Sequence, residues 1–415
     1  MMDFLPIRFK KFIAATAIAA ALINPVFAGA TPKAMSETMQ RTAFVRESGP
    51  VADHQAIVLL PAYLGLINPS TIGLIVSIQQ ASVSMTTGNT TGTATINSVT
   101  VANTALFYGG QSPGAGTDFT NEYGSVDLTN ATTLTATRNT SATNTVTLYV
   151  TVVEWKSSAV NSIQSGTAST SSGTSGTATI TSVTTGNSIV LYNGQVCQVT
   201  GSSAQSTTIV HIQLTNATTV TVTRGASSGS AVIGHFMVLE FKSGILQSST
   251  QNGTIAIAAA STSNTATITS VTTANTLLLY NGQISSNGSD AGNSWAYLVL
   301  TNATTVTATR VGTSGTQTPA FSVLEFKSAN VKSNNSAQTV IATSTQTNTA
   351  TITAIVTTKA IMSFLGDVNS AGSTIAVDTW ANAVITNTTT ITVGRGAGSG
   401  ANTDTVSWNV LELVG

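Results

Sequence analysis

Three short strings recur four times in the same order along the chain, and no other feature limits its fold so strongly. TATI occupies Thr93–Ile96, Thr177–Ile180, Thr265–Ile268 and Thr349–Ile352, at spacings of 84, 88 and 84 residues. LTNATT starts at Leu128, Leu214 and Leu300, with a divergent copy, ITNTTT, at Ile385. The strand-like run after each copy ends in Arg138, Arg224, Arg310 or Arg395. The third string, VVEWK, VLEFK, VLEFK and VLELV, sets Glu154, Glu240, Glu325 and Glu412 near the end of every copy. Ordered strings kept in register define tandem structural units, and they divide the chain into repeats at 78–160, 161–244, 245–330 and 331–415.

Inside a repeat the apolar period is two. Val220 and Val222 alternate with Thr219, Thr221 and Thr223, and Ile189, Val190, Leu191 and Tyr192 form a denser stretch. Such alternation argues for half-buried strands, which Thr also favours. SGTSG, YNGQ and RGASSG lie between these runs and read as turns, because Gly and Asn accept tight or positive-φ backbone. Only 7% of the residues are charged, against about 25% in an ordinary domain, so Thr, Ser and Asn must hydrate the surface. These features predict an all-β protein of four tandem Ig-like β-sandwich modules. The last strand of one repeat runs almost directly into the next, as from Glu240 to Ile245, with no flexible linker. Short connections restrict orientation, so the modules are expected to form a stiff, elongated rod.

Ahead of the repeats, Arg8, Lys10 and Lys11 precede a short apolar run from Phe12 to Phe27, followed by Ala28. A basic start, an apolar stretch too short for a stable span and a small residue at the cut mark residues 1–28 as an export signal peptide. Residues 29–77 form an N-terminal arm that matches no repeat. Its second half is apolar and interrupted by Pro61, Asn68 and Pro69, which argues against a membrane span in the mature chain. Two roles fit it: a cap on the first module, or a strand donated to a neighbouring subunit. The second would make the arm a polymerisation device, carried by Ile57, Val58, Leu59, Leu60, Leu64, Leu66, Ile67, Ile72, Leu74 and Ile75. A single cysteine, Cys197, leaves no internal disulfide to stabilise an exported chain.

The residues that usually carry chemistry are scarce. With 15 basic and 15 acidic side chains the formal net charge is zero, which offers no field for nucleic acid. The repeated Arg138, Arg224, Arg310 and Arg395 and the repeated Glu154, Glu240, Glu325 and Glu412 are candidates for contacts between modules. The alternative is that each Arg caps a sheet edge or stays solvated, while Glu154, Glu240 and Glu325 pair with Lys156, Lys242 and Lys327. Asp118, Glu122 and Asp127 are a moderately close acidic set with no counterpart in the second repeat. His211, His235 and Cys197 lack the close-set spacing of a zinc site. GxSxG matches at Gly110–Gly114 and Gly225–Gly229, but in strand- and turn-patterned stretches rather than at a strand-to-helix elbow, and no phosphate-binding glycine loop occurs. No catalytic residue, metal ligand or cofactor is therefore expected, and the chain reads as non-enzymatic. One lead remains in Tyr108, Tyr192 and Tyr280, which recur after apolar runs, and in Trp295 and Trp380 beyond them. Aromatics beside amides can stack on sugars, although a packing role also fits.

TATITSV, LTNATTVTATR and VLEFK resemble the Thr/Asn-rich repetitive β-modules of bacterial surface and fibre proteins and of phage tail-fibre structural proteins. The resemblance covers the four repeats and carries no catalytic residues. It implies a secreted structural protein: a subunit of an extracellular filament, surface layer or adhesin that self-associates and meets surface glycans or cell-surface proteins. A phage virion fibre and a carbohydrate-binding surface protein are the alternatives.

Overall fold

Alternation of Thr with Val, Leu and Ala produces short antiparallel strands with one face buried, as at Thr133–Thr137 and Thr219–Arg224, whereas the denser apolar runs at Ser188–Cys197 and Ala360–Asn369 are buried on both faces. The computed structural model describes residues 73–114, 122–140, 144–199, 205–286, 295–370, 380–396 and 402–414. All belong to the compact unit Leu66–Gly415. The first repeat contributes β1 (Ile75–Met85), β2 (Thr91–Thr95), β3 (Thr104–Pro113), β4 (Ser125–Asn130), β5 (Thr133–Thr137) and β6 (Val146–Trp155). The second contributes β7 (Val160–Ser169), β8 (Ser175–Thr179), β9 (Ser188–Cys197), β10 (Val210–Asn216), β11 (Thr219–Arg224) and β12 (Val232–Phe241). The third contributes β13 (Gln251–Thr254), β14 (Ser263–Thr267), β15 (Thr276–Ser285), β16 (Tyr297–Asn302), β17 (Thr305–Thr309) and β18 (Gln317–Glu325). The fourth contributes β19 (Val331–Ile341), β20 (Thr347–Thr351), β21 (Ala360–Asn369), β22 (Ala381–Asn387), β23 (Thr390–Arg395) and β24 (Asp404–Leu413).

Each repeat supplies two three-stranded halves, ordered β1-β6-β3 and β2-β5-β4 in the first. The LTNATT string is the β4–β5 hairpin. Asn130 Oδ1 accepts the Thr132 N–H at 2.9 Å, and the same bond recurs at Asn216, Asn302 and Asn387. An Asx turn of this kind fixes the hairpin locally, which accounts for the string's recurrence.

Sheets then cross from repeat to repeat. Gly194 of β9 pairs with Ser125 of β4, Gly282 of β15 with His211 of β10, and Gly110 of β3 with Asn382 of β22. The last of these joins the first repeat to the fourth and closes a ring. At the remaining junction Gly366 of β21 lies against Ala296 and Tyr297. Three six-stranded and two three-stranded sheets result, and these five sheets are arranged as a propeller-like ring. The expected rod of four tandem Ig-like sandwiches is thereby overturned. YNGQ, read as a turn, lies inside β9, where the register with β12 slips between Gly234 and Phe236. The bulge bends the strand against the neighbouring repeat instead of ending it. At all four junctions the glycine has positive φ: +93° at Gly110, +92° at Gly194, +81° at Gly282 and +91° at Gly366. A Cβ on Gly194 would lie 2.2 Å from the Gly124 carbonyl oxygen. Only glycine meets both demands.

Apolar side chains from all four repeats share one core. Trp155, Phe241, Phe326 and Leu413, at or near the ends of the last strands, belong to it with Phe107, Leu191, Leu279 and Ile361. Trp155 meets Phe241 edge-on at 5.0 Å between ring centroids, and Phe241 meets Phe326 in the same way at 5.6 Å. Such pairs add about 0.5–1.5 kcal/mol beyond the area they bury. The W and F of the VVEWK and VLEFK strings thus serve the shared core.

Two predictions follow from the junctions. Gly194→Ala is expected to lower stability by at least about 2 kcal/mol. Gly229→Ala, at a glycine with ordinary φ and open space around it, should leave thermal unfolding unchanged; equal melting temperatures for the two variants would refute the close approach. His211, buried at the junction of the second and third repeats, has its pKa lowered to about 4 by burial, opposed by its bond to the Thr318 carbonyl. The unfolded chain then binds more protons between pH 6.5 and 4, so stability is lost as pH falls through that window. The loss attributable to His211 approaches about 3 kcal/mol at its limit. His211→Gln should flatten this part of the melting-temperature profile.

Candidate functional site

Inner strands from the four repeats bring equivalent residues together. Tyr108, Tyr192, Tyr280 and Phe364 hold the same repeat position and face one another edge-on: Tyr108 to Tyr192 at 5.4 Å, Tyr108 to Phe364 at 6.5 Å and Tyr280 to Phe364 at 6.2 Å. Tyr123, Ile209, Trp295 and Trp380 form a second equivalent set just ahead of the fourth strands. Trp295 meets Trp380 at 6.1 Å, and Trp380 meets Tyr123 at 4.5 Å. Between these sets lie Gln111, Gln195, Gln283 and Asp367, and together they enclose a central cavity of about 40 Å³. All five aromatics singled out in the sequence line it. Sequence reading missed Tyr123, Phe364, the glutamines and Asp367, although the repeat alignment of YGGQ, YNGQ, YNGQ and FLGD contains the signal.

The polar wall is built by a repeated bonding scheme that the fourth repeat breaks. Gln111 Nε2 donates to the Glu122 carbonyl at 2.8 Å, and its Oε1 accepts from the Tyr108 hydroxyl at 3.2 Å. Gln195 Nε2 donates to the Thr208 carbonyl, while its Oε1 accepts from the Tyr192 hydroxyl at 3.2 Å and the Val210 N–H at 3.1 Å. Gln283 Oε1 accepts the Ala296 N–H at 3.0 Å. The fourth repeat replaces Tyr with Phe364 and Gln with Asp367, so it has neither the hydroxyl nor the amide donor. Asp367 is 2% exposed, and its Oδ2 is buried without a hydrogen-bond partner. Burial, with Asp404 as a second cause, pushes this carboxyl well above the usual range. Burial also raises the phenols of Tyr108, Tyr192 and Tyr280, which therefore stay neutral donors.

The repeated charges lie elsewhere. Arg224 is buried and donates from Nε to the Gly173 carbonyl at 2.7 Å, and from its terminal nitrogens to Ser171, Thr207, Ser228 and Ser230. Arg138, Arg310 and Arg395 staple the corresponding loops of their own repeats. Glu154, Glu240, Glu325 and Glu412 are buried as well, each accepting a backbone N–H and a Ser hydroxyl within its own repeat. These bonds are internal to each repeat and differ from both arrangements expected for these residues. Burial pushes the Glu240 carboxyl up, but the Thr184 N–H, Asn161 and Ser162 together hold it below its ordinary value. Arg395 forms a buried ion pair with Asp404 at 3.0 Å, and His235 Nδ1 of the second repeat lies 2.9 Å from Asp127 Oδ2 of the first.

Other candidates are dispersed. His211 and His235 have separate partners, and Cys197 is buried. Glu122 binds Asn144, while Asp118 lies outside the described residues. Among the described residues no three His, Cys, Asp or Glu side chains are grouped as metal ligands, and no helix is long and apolar enough to cross a membrane. Of the arm candidates, Leu74 and Ile75 belong to the first repeat's core, with Ile75 opposite Trp155 in β1. Ile57 to Ile72 and the signal-peptide segment lie outside the described residues. No protein-family model, curated protein or solved structure matches the chain.

Arg224→Ala is expected to cost about 3–5 kcal/mol, because it leaves several buried carbonyls without donors. Chemical denaturation of the variant beside Lys242→Ala, an exposed charge from the same repeat, measures this. Equal midpoints would refute the staple.

Proposed function

We propose that the chain is an exported, non-enzymatic structural protein of a cell surface or extracellular fibre, and that its ring is a recognition module with one small-ligand site at the centre. The observation that carries this reading is the meeting of equivalent aromatic side chains from four repeats, and of amides from three, around one cavity. A concave site with apolar walls and a few directed polar groups is the usual form of a ligand pocket. The repeated Arg and Glu support the non-enzymatic part, because they are engaged in holding loops. The Thr- and Asn-rich exterior supports contact with glycans or with further copies through many weak, uncharged interactions.

Trp295 and Trp380 line the cavity and are two of the four tryptophans, so intrinsic fluorescence reports its occupancy. Purified protein titrated with monosaccharides, disaccharides, amino acids and free amines is expected to show a saturable change for at least one class. Trp380→Phe should diminish the change and Trp408→Phe should not. A folded protein that responds to none of them would overturn the reading. N-terminal sequencing of the chain recovered from the growth medium should begin at Gly29.

A further inference from the structure

Resting on the central-cavity reading, we infer that the ligand is a small organic ammonium ion, held by Asp367 against the surrounding aromatic rings. The repeats provide an internal comparison. Three of them place Gln at this position and engage its amide: Gln111 and Gln195 donate to a carbonyl and accept from a hydroxyl or N–H, and Gln283 accepts the Ala296 N–H. The fourth places a carboxyl in the same wall, where Oδ2 meets no donor. The nearby cation, Arg395, is engaged by Asp404 and by backbone carbonyls. A buried acid without a countercharge is costly unless it is neutralised. The cavity beside it supplies what an alkylated ammonium requires. Aromatic faces attract a cation and accommodate its methyl or methylene groups. The carboxylate provides the opposite charge, and about 40 Å³ exceeds the space one water needs. A sugar hydroxyl donating to the same oxygen leaves its charge uncompensated, and a bare inorganic cation gains little from methyl-sized apolar walls.

The test titrates the purified full chain with methylammonium and tetramethylammonium chloride, with tert-butanol as the neutral counterpart of similar size and potassium chloride as the inorganic control. Tryptophan fluorescence and thermal unfolding are read together. At least one ammonium ion is expected to bind saturably and raise the melting temperature. Asp367→Gln installs the side chain that the other three repeats use. It should keep or raise the melting temperature of the free protein while weakening ammonium binding at least tenfold, and Asp367→Asn provides a second variant with the same expectation. Equal ammonium affinity in the variants and the unaltered protein would overturn the assignment, as would potassium acting as effectively as the amines. Binding of tert-butanol without ammonium binding would overturn the cation and leave the central-cavity reading standing. A response to none of the ammonium ions or tert-butanol would overturn the cation here, and the broader panel of sugars and amino acids would then decide the cavity.

Discussion

Close approach of one repeat's third strand to the next repeat's backbone, at Gly110, Gly194, Gly282 and Gly366, is the constraint on which the rest of the structure depends. A bulge with positive φ turns the strand, and the missing Cβ lets a neighbouring carbonyl occupy the space a side chain would need. Turns at these four glycines bring the last repeat back to the first, so Gly110 meets Asn382 without any special closing element. Closure pairs strand edges that a rod would leave at its ends. It also collects Trp155, Phe241, Phe326 and Leu413 into a core that no single repeat could bury.

Low charge and buried charge are two sides of the same solution. The chain has few ionisable groups, and the repeated ones are spent inside it. Each Arg satisfies carbonyls of loops that carry no ladder bonds, and each Glu accepts donors near the short turn ahead of the third strand. A buried guanidinium or carboxylate is tolerable when its polar atoms are directed at fixed backbone partners. Repetition preserves both arrangements because every copy has the same loops to hold. The exterior is left to Thr pairs such as Thr215 with Thr221, which hydrate the surface without charge.

The central cavity is informative because its symmetry is incomplete. Tyr and Gln bond to each other in the first two repeats and Gln283 accepts a backbone N–H in the third, whereas Phe364 and Asp367 in the fourth leave an acid facing aromatic rings. A purely structural wall would be served by the same pair four times over. Departure at both positions together gives the site one acidic side and therefore a direction in which to hold a ligand.

Much was legible in the residues alone. Period-two alternation gave the strands, because side chains on a strand point alternately to opposite faces, and the recurring strings gave the repeats, while the hairpin that LTNATT forms through its Asx bond emerged with the structure. Five aromatics of the cavity stood out by their recurrence. The placement of one repeat against the next was not legible, because an antiparallel half-sheet can be extended sideways or stacked end to end with the same alternation. Gly in YNGQ carried that information, but a positive-φ glycine serves a turn and a bulge equally well until its neighbour is known. The meaning of Asp367 was hidden for the same reason, since an acid reads as solvated unless the surrounding walls are seen. Sequence by itself determined the strand-forming runs and their fourfold recurrence, which rest on contacts a few residues apart; tertiary structure decided ring against rod and which side chains share the cavity, which rest on contacts between repeats about 85 residues apart.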